Sequence, residues 1–406
     1  MRRYHTRRYG AIIAAILLAA VVLYTTEPRR RAYSCKTLGS CIDIIPHTYS
    51  HRLPRDPALR EYEETLADGA VHYTRELFVT RSGGTGTGTG ADSAAMVQPN
   101  LLILVLNKDE SSWARDFRAT GRSVHDFLDL LLTTKLDLAT VSLGMMTSSQ
   151  AEFAAIKQAT SKLPFGRVSI LLKTPGSSSS SSPGQTATTL DYKDRHDRSP
   201  KVQRKRRGII AALRNYLMLR TLADEEHILW VDADVAEFSP GIVQAMLAHA
   251  AARPGDVGLI TARCSQNAHA NYDKNAWSVD KGARTLWSPV VDGMRGAAVD
   301  ELVRTRKFVD VLLLGGGGGE EEGPTSDADL VPLDSVGGTI LYIRASMVRE
   351  GLSFPTFNVV GTTWSHEGWV GVETEGICYV AAQMAGGGGR CWLLGGSHAV
   401  RHADWG

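Results

Sequence analysis

Two carboxylates one residue apart, Asp232 and Asp234, close the apolar run His227-Ile-Leu-Trp-Val231. At the end of a short buried strand, such a pair suits a divalent cation held between protein oxygens and the phosphates of a substrate. The bland alternative is a helix cap, for which Ser239 and Pro240 offer start signals just downstream. Upstream, Arg207 and Arg214 lie seven residues apart with Asn215 beside them. On a helix this spacing places the two arginines on one face, away from Ile210, Leu213 and Leu217. Guanidinium groups there suit bidentate contact with phosphate. Glu373 and Glu375 are a second close pair of carboxylates, either of which could orient or deprotonate an attacking hydroxyl.

The elements that must position these residues can be read from apolar patterning. Leu101–Leu106 is a continuous apolar run of buried-strand length, ending at Lys108 and Asp109. Val124, Phe127, Leu128 and Leu131 fall on one helical face. Strands are expected over Ala139–Leu143 and Val168–Leu172, with a helix around Ala151–Ser161 between them. A basic helix over about Arg204–Leu222 leads to the strand His227–Val231. A helix near Pro240–Ala251 and a strand over Val257–Thr261 follow. The alternation implies an α/β fold with a mostly parallel, Rossmann-like sheet flanked by helices. Ligands of such sheets sit beyond the carboxyl ends of the strands, where Asp232, Asp234, Lys108 and Asp109 fall.

The chain has 406 residues, 43% hydrophobic and 22% charged, enough for a substantial core. A net charge of +2 selects no partner class. The basic run Lys201–Arg207 resembles a nucleic-acid patch, but Asp191, Asp194 and Asp197 lie just before it and argue against that use. Five cysteines leave at least one unpaired, with Cys35/Cys41 and Cys378/Cys391 as candidate pairs. Arg2, Arg3, Arg7 and Arg8 precede the uncharged stretch Gly10–Thr26, which Arg29, Arg30 and Arg31 follow. This reads as a cytoplasmic tail over 1–9 and an uncleaved membrane anchor over 10–26, with the remainder lumenal; the competing reading is a cleaved signal peptide. Residues 27–97 read as a stem and linker with a helix near Pro57–Thr74, and residues 98–406 as the catalytic domain. Low-complexity insertions near 177–182, 315–323 and 386–389 interrupt that domain. An acidic pair at a strand end behind a membrane anchor points to sugar transfer from a nucleotide donor in the secretory pathway.

Several blocks resemble the fungal Golgi α-1,6-mannosyltransferases of the mannan-polymerase family, glycosyltransferase family sixty-two. They are Leu101–Asp109, Val141–Met146, Arg206–Leu217 leading into Ile228–Asp234, Tyr272–Trp277, and the stretch from Val336-Gly-Gly338 through Phe354-Pro355 and Glu367-Gly-Trp369 to Val372–Val380. Their order and approximate spacing hold from about residue 98 onward. The glycine and serine insertions are foreign to the pattern.

The resemblance implies a GT-A-type nucleotide-sugar fold, a type II Golgi membrane protein, manganese dependence and GDP-mannose as donor. Mannose would pass, with retention, to a 6-hydroxyl of a mannose-terminated N-glycan, within a hetero-oligomer of related transferases. It assigns Asp234 to the metal, Asp232 to the metal's surroundings or the donor, and His402 to the metal, with His398 as fallback. Donor contacts are expected from Lys108, Asp109, Arg207, Arg214, Asn215, Asp232 and Gly338, and acceptor contacts from Asp273 and Trp277. Glu375 and Glu373 are the candidate catalytic carboxylates, although in a retaining transfer the departing phosphate could take the proton instead. Two alternatives stand beside this reading: a non-catalytic scaffold subunit of a polymerase complex, or a related transferase with another donor or linkage.

Overall fold

Leu102 and Leu104 on strand Leu101–Leu106 pack into one apolar cluster, while Leu101, Ile103 and Val105 pack into another. A strand buried on both faces requires cover on both sides, and helices supply it here. The computed structural model describes residues 59–80, 94–96, 98–174, 197, 199–267, 269–279, 304–314, 325–360, 368, 370–384 and 390–404. The strands that concern the site are β1 (Leu59–Thr65), β2 (Val71–Thr80), β3 (Ala94–Met96), β4 (Leu101–Leu106), β5 (Val141–Thr147), β6 (Arg167–Leu172) and β7 (His227–Val231). They continue with β8 (Val235–Phe238), β9 (Val257–Thr261), β10 (Arg263–Ser265), β11 (Trp277–Ser278), β12 (Lys307–Phe308), β13 (Leu330–Leu333), β14 (Ile340–Arg344), β15 (Arg390–Leu394) and β16 (Ala399–His402). The helices are α1 (Val124–Thr133), α2 (Gln150–Thr160), α3 (Pro200–Thr221), α4 (Ile242–Ala252), α5 (Val309–Leu313), α6 (Ala345–Arg349) and α7 (Thr374–Gln383).

The main sheet runs β1-β2-β6-β5-β4-β7-β14-β9-β15-β13, with β3 paired to β2. Its centre, β6-β5-β4-β7, is parallel throughout, whereas β14 runs antiparallel between β7 and β9. Apolar residues of α1, α2 and α4 join the cluster on one face, and those of α3, α6 and α7 join the cluster on the other. The expected α/β architecture with a mostly parallel centre is what forms. Helix starts follow local chemistry. Ser123 and Asp126 form a capping box at α1, Ser149 caps α2, and Ser199 with Pro200 opens α3.

A second sheet decides where the chemistry can sit. β8 follows β7 through the Asp232–Asp234 turn, and β10 follows β9 after Ala262 alone. Both short strands therefore lie beyond the carboxyl ends of main-sheet strands. β16 enters between them, parallel to β10 and antiparallel to β8. β16 is thereby stitched onto the edge where β7 and β9 end.

Three expectations are corrected. The helix near Pro57–Thr74 is instead the β1–β2 hairpin, with Leu59 opposite Leu77 and Thr65 opposite Val71. From Glu61 to Thr65 its side chains alternate between exposed and half-buried, a strand pattern that a helical reading overlooks. Because β2 pairs with β6 across six residues from Val71 to Glu76, part of the supposed stem belongs to the main sheet. The strand expected over Ala139–Leu143 begins at Val141, since Asp137 caps a 3-10 turn over Leu138–Thr140. The membrane anchor is the third correction. Its stretch, 10–26, lies outside the described residues, and no helix among the described residues is long and apolar enough to cross a membrane. A single-pass type II anchor, and the Golgi membrane location built on it, are not supported. Cys35 and Cys41 and the three low-complexity insertions also lie outside the described residues. Cys378 and Cys391 form a disulfide that ties α7 to β15, and Cys264 is free and buried.

Candidate active site

The turn after β7 is held by Asp232 N–H donating to the Thr339 carbonyl at 3.0 Å and Val235 N–H donating to the Asp232 carbonyl at 3.1 Å. Its two carboxylates face different partners, because the backbone turns at Ala233 and Asp234 instead of running on as a strand. Asp232 Oδ1 accepts from Arg214 Nη2 at 2.9 Å, and Asp234 Oδ2 lies 3.0 Å from His402 Nε2. A helix-capping role is ruled out. Strand β8 separates the pair from α4, whose cap is Gly241 at φ 75°.

His402 arrives from the last strand. Its register against Val235 places the imidazole beside Asp234, and the Ala403 N–H donates to the Asp234 carbonyl at 2.7 Å. His402 Nδ1 lies 2.9 Å from the Ala403 carbonyl and 3.2 Å from Gln266 Nε2. The carbonyl contact favours the proton on Nδ1, leaving Nε2 to face the carboxylate or a ligand. Burial alone would lower the His402 pKa, but the Asp234 carboxylate outweighs it and the net shift is upward. The Asp232 carboxyl is also raised, first by burial and then by repulsion from Asp234 and Glu373, against the pull of Arg214. Its side chain keeps 36% of its surface open, so solvent tempers the effect.

Does this pair fit a divalent cation? Two donors about 2.1 Å from one octahedral ion, in neighbouring positions, lie ~3 Å apart. The Asp234–His402 separation of 3.0 Å matches that spacing. Among the described residues, no three His, Cys, Asp or Glu side chains converge as a closed metal site. The fit is therefore to an open site that leaves most positions for substrate oxygens and water.

Asp232 heads a chain of six charges. Arg214, 4% exposed, reaches Asp232 and also sets Nε 3.1 Å from Glu373 Oε1. Arg207 Nε lies 3.8 Å from Glu373 Oε2, and Arg207 Nη1 lies 3.2 Å from Glu375 Oε2. Arg306 closes the series at 3.0 Å from Glu375 Oε1. Every oxygen of the two glutamates thus faces a guanidinium. Glu373 and Glu375, expected as catalytic carboxylates, are thus locked in ion pairs in this structure. The helix face that carries Arg214 is also the buried one, shared with Ala211 and Met218, while Ile210 and Leu213 are half-buried. Of the residues that periodicity places on the apolar side, Leu217 is fully buried as expected, but Arg214, placed on the opposite face, is buried beside it. Arg306 was missed altogether, since only its partner Glu375 could have pointed to it. Glu373 adopts φ 60° and ψ −132°, a conformation unusual for a residue with a Cβ, pinned by its N–H donating to the Pro355 carbonyl at 2.8 Å. Among the described residues, Arg214 Nη1 and Thr374 Oγ1 are buried without a hydrogen-bond partner. Unmet donors of this kind are rare in folded chains.

Other expected site residues have structural tasks. Asp273 Oδ2 accepts from Gly338 N–H at 2.8 Å and Thr339 Oγ1 at 3.2 Å, fixing the glycine loop rather than facing an acceptor. Gly338 needs its missing side chain. A Cβ there would lie 3.0 Å from Arg214 Nη2, and its carbonyl accepts from that same nitrogen. Trp277 is fully buried with Val279, Val359 and Val360 and cannot present a face to a sugar. Asn215 donates to the Phe354 carbonyl and accepts from the Phe354 N–H, both at 2.8 Å, so it braces a loop instead of binding a donor. Asp109 caps the 3-10 turn over Glu110–Trp113, and the Lys108 carbonyl accepts from Thr147 and Ser148 hydroxyls. Both residues remain at the strand edge that β4 shares with β7. His398 is buried, two strand positions before Val400, and among the described residues it is His402 that meets Asp234.

Comparison with known proteins bears on this arrangement. The Anp1 family model matches residues 88–358. The chain is 28% identical over 190 residues to the mannan polymerase complex subunit mnn9 of Schizosaccharomyces pombe, covering 46% of this chain and 50% of that protein. It is 26% identical over 196 residues to the mannan polymerase complex subunit MNN9 of Candida albicans, covering 47% of this chain and 48% of that one. The chain thus spans about half the length of the curated relatives it matches. Among solved structures, the mannosyltransferase PcManGT from Pyrobaculum calidifontis, in complex with GDP-Man and Mn2+, superposes with a TM-score of 0.40 at 11% identity, over 75% of this chain and 57% of that one. Residues 1–349 of S. aureus TarS superpose at 0.37 and 9% identity, over 75% and 60%. Scores this low carry no argument about the site. The family match, by contrast, spans well over half of the sequence, including β4 through β14, the arginine helix and the acidic turn: the chain belongs to the Anp1 family.

Proposed function

We propose that the chain is a metal-dependent, GT-A-type glycosyltransferase that moves mannose from GDP-mannose to a mannose hydroxyl of an N-glycan, extending an α-1,6-linked backbone with retention. The observation that carries the reading is the Asp234–His402 pair, 3.0 Å apart at the carboxyl edge of a parallel sheet. Family membership and the mannan-polymerase names of two relatives supply the sugar.

In this reading Asp234 and His402 hold a manganese or similar ion. When bound, the ion supplies positive charge to the diphosphate of the departing nucleotide. The protein's own contribution is to keep that corner fixed. Asp232 is drawn toward Arg214, so Asp234 alone of the acidic pair pairs with the histidine. Arg214 stands in a dry setting, stacked 5.0 Å from the Trp230 ring centre, where its charge is weakly screened. With Glu373 and Glu375 held by guanidinium groups, the acceptor hydroxyl delivers its proton to the departing phosphate oxygen rather than to either glutamate.

The test incubates the full chain with manganese, a panel of nucleotide sugars and α-mannobiose, and measures nucleotide release. GDP release from GDP-mannose is expected, falling by about 100-fold or more in Asp234→Ala and His402→Ala. Equal release by Asp234→Ala sinks the proposal. A second reading, a structural subunit that needs a related partner for turnover, draws on the complex-subunit names of the relatives. Turnover by the purified chain alone excludes it.

A further inference from the structure

The block Tyr272–Trp277 contains two aromatic rings, and patterning singles out the tryptophan. The structure reverses their roles. Trp277 is fully buried, whereas Tyr272 keeps 37% of its surface exposed. The Tyr272 ring lies 4.8 Å from the His402 ring, centre to centre, at 44°. It therefore borders the Asp234–His402 pair.

Its backbone is held from both directions. Tyr272 N–H donates to the Cys264 carbonyl at 2.8 Å. On one side, Asn271 is buried and donates to Asp310 Oδ1 at 3.0 Å. On the other, Asp273 accepts from Gly338 and Thr339. His402, the ring beneath it, is itself fixed by Gln266 and by the β16 ladder. An exposed aromatic with this much support is a rigid surface, and rigid surfaces bind with little loss of side-chain freedom.

We infer that Tyr272 is the stacking platform for a neutral hexose ring, the acceptor sugar, at the edge of the Asp234–His402 pair. The inference rests on the function proposed above. A nucleotide-sugar donor brings charges that a cation and arginines can hold. An uncharged acceptor brings only hydroxyls and the apolar C–H face of its ring, which an aromatic face matches. Tyr272 is the ring placed to offer such a face next to the candidate reaction centre.

The test uses the full chain and the variants Tyr272→Ala and Tyr272→Phe, with α-mannobiose as probe. Saturation-transfer NMR reports mannobiose binding directly, without any need for turnover. It should show contact with ring protons in the native chain and in Tyr272→Phe, and loss of about tenfold or more in affinity in Tyr272→Ala. In kinetic assays the KM for mannobiose should rise by a similar factor, while the KM for GDP-mannose and the manganese affinity, read by electron paramagnetic resonance, stay within about twofold. Unchanged mannobiose binding in Tyr272→Ala overturns the inference. So does a rise confined to the donor KM, or manganese affinity that falls as far as in His402→Ala, since the ring would then serve only to pack the histidine. Should the native chain release no GDP from GDP-mannose, the proposed function fails, and the NMR comparison still decides the role of Tyr272.

Discussion

At the scale of single residues, Arg214 has the greatest consequence. It lies almost fully buried between Asp232 and Glu373, with Trp230 and Phe354 rings 5.0 and 5.5 Å from its guanidinium carbon. Removing one member of a buried charge set leaves its partners uncompensated, which costs more than the set ever contributed. Arg214→Met is expected to lower the unfolding free energy by about 3 kcal/mol, measured by urea denaturation. A loss below about 1 kcal/mol would mean that Asp232 and Glu373 find water or other cations and that the network is dispensable. His72 offers a second residue-scale test, one that depends on pH. Burial, with Arg167 and Arg220 adding repulsion, lowers its pKa to about 4 despite Glu64 at 3.5 Å. The unfolded chain therefore binds a proton near pH 6.5 that the folded chain refuses until about pH 4. Stability held above pH 6.5 is lost as pH falls through that window, by roughly 3 kcal/mol at most. The pH dependence of urea unfolding between pH 7 and pH 4 should flatten in His72→Gln. An identical acid slope in both proteins would assign the loss to other groups.

Between elements, what matters is how strands and helices are brought to one edge. The acidic turn was legible because an apolar run ends on two carboxylates, and that signal survives any change of topology. His402 was reachable only through resemblance, because nothing in the local pattern of Val400–Ala403 says that a short strand will enter beside β8. Trp277 and Asp273 were misread for a different reason. A residue type that suits sugar or metal also suits a core or a glycine loop, and sequence cannot tell which side of a strand faces solvent when both neighbours are unknown. The α7–β15 disulfide was legible only as one possible pairing. It ties the helix that carries Glu375 at its start to a strand of the main sheet and spans 13 residues. Closing a loop of that length is worth about 3 kcal/mol. Cys378→Ala with Cys391→Ala is accordingly expected to lower the thermal midpoint by several degrees in a calorimetric scan. A midpoint unchanged by the double substitution would show that packing of Ile377 and Ala381 alone holds α7 in place.

For the whole molecule, the question is where the folded unit begins. Patterning placed that start near residue 98, because the preceding segment is polar, bears arginine and proline, and ends in a glycine-rich stretch. The hairpin β1–β2 shows why polarity misleads at an edge. Among the described residues β1 pairs only with β2, so most of its side chains can meet water, whereas Tyr73, Thr74 and Arg75 on β2 are buried where that strand pairs with β6. Arg75 donates to the Leu163 carbonyl at 2.7 Å, and Lys157 sits 4.3 Å over the Tyr73 ring while pairing with Glu63 at 2.8 Å. Without the hairpin, the edge of β6 would be bare, with Val168, Ile170 and Leu172 beside it. An unprotected edge of β-branched and apolar residues pairs with other chains. A fragment covering residues 52–406 is therefore expected to be monodisperse by size-exclusion chromatography and light scattering. One covering residues 98–406 is expected to aggregate and to bind an apolar dye, even though it retains Asp234, His402 and the arginine network. A monodisperse 98–406 fragment of equal stability would show that the hairpin is an appendage and that the central parallel strands fold without it.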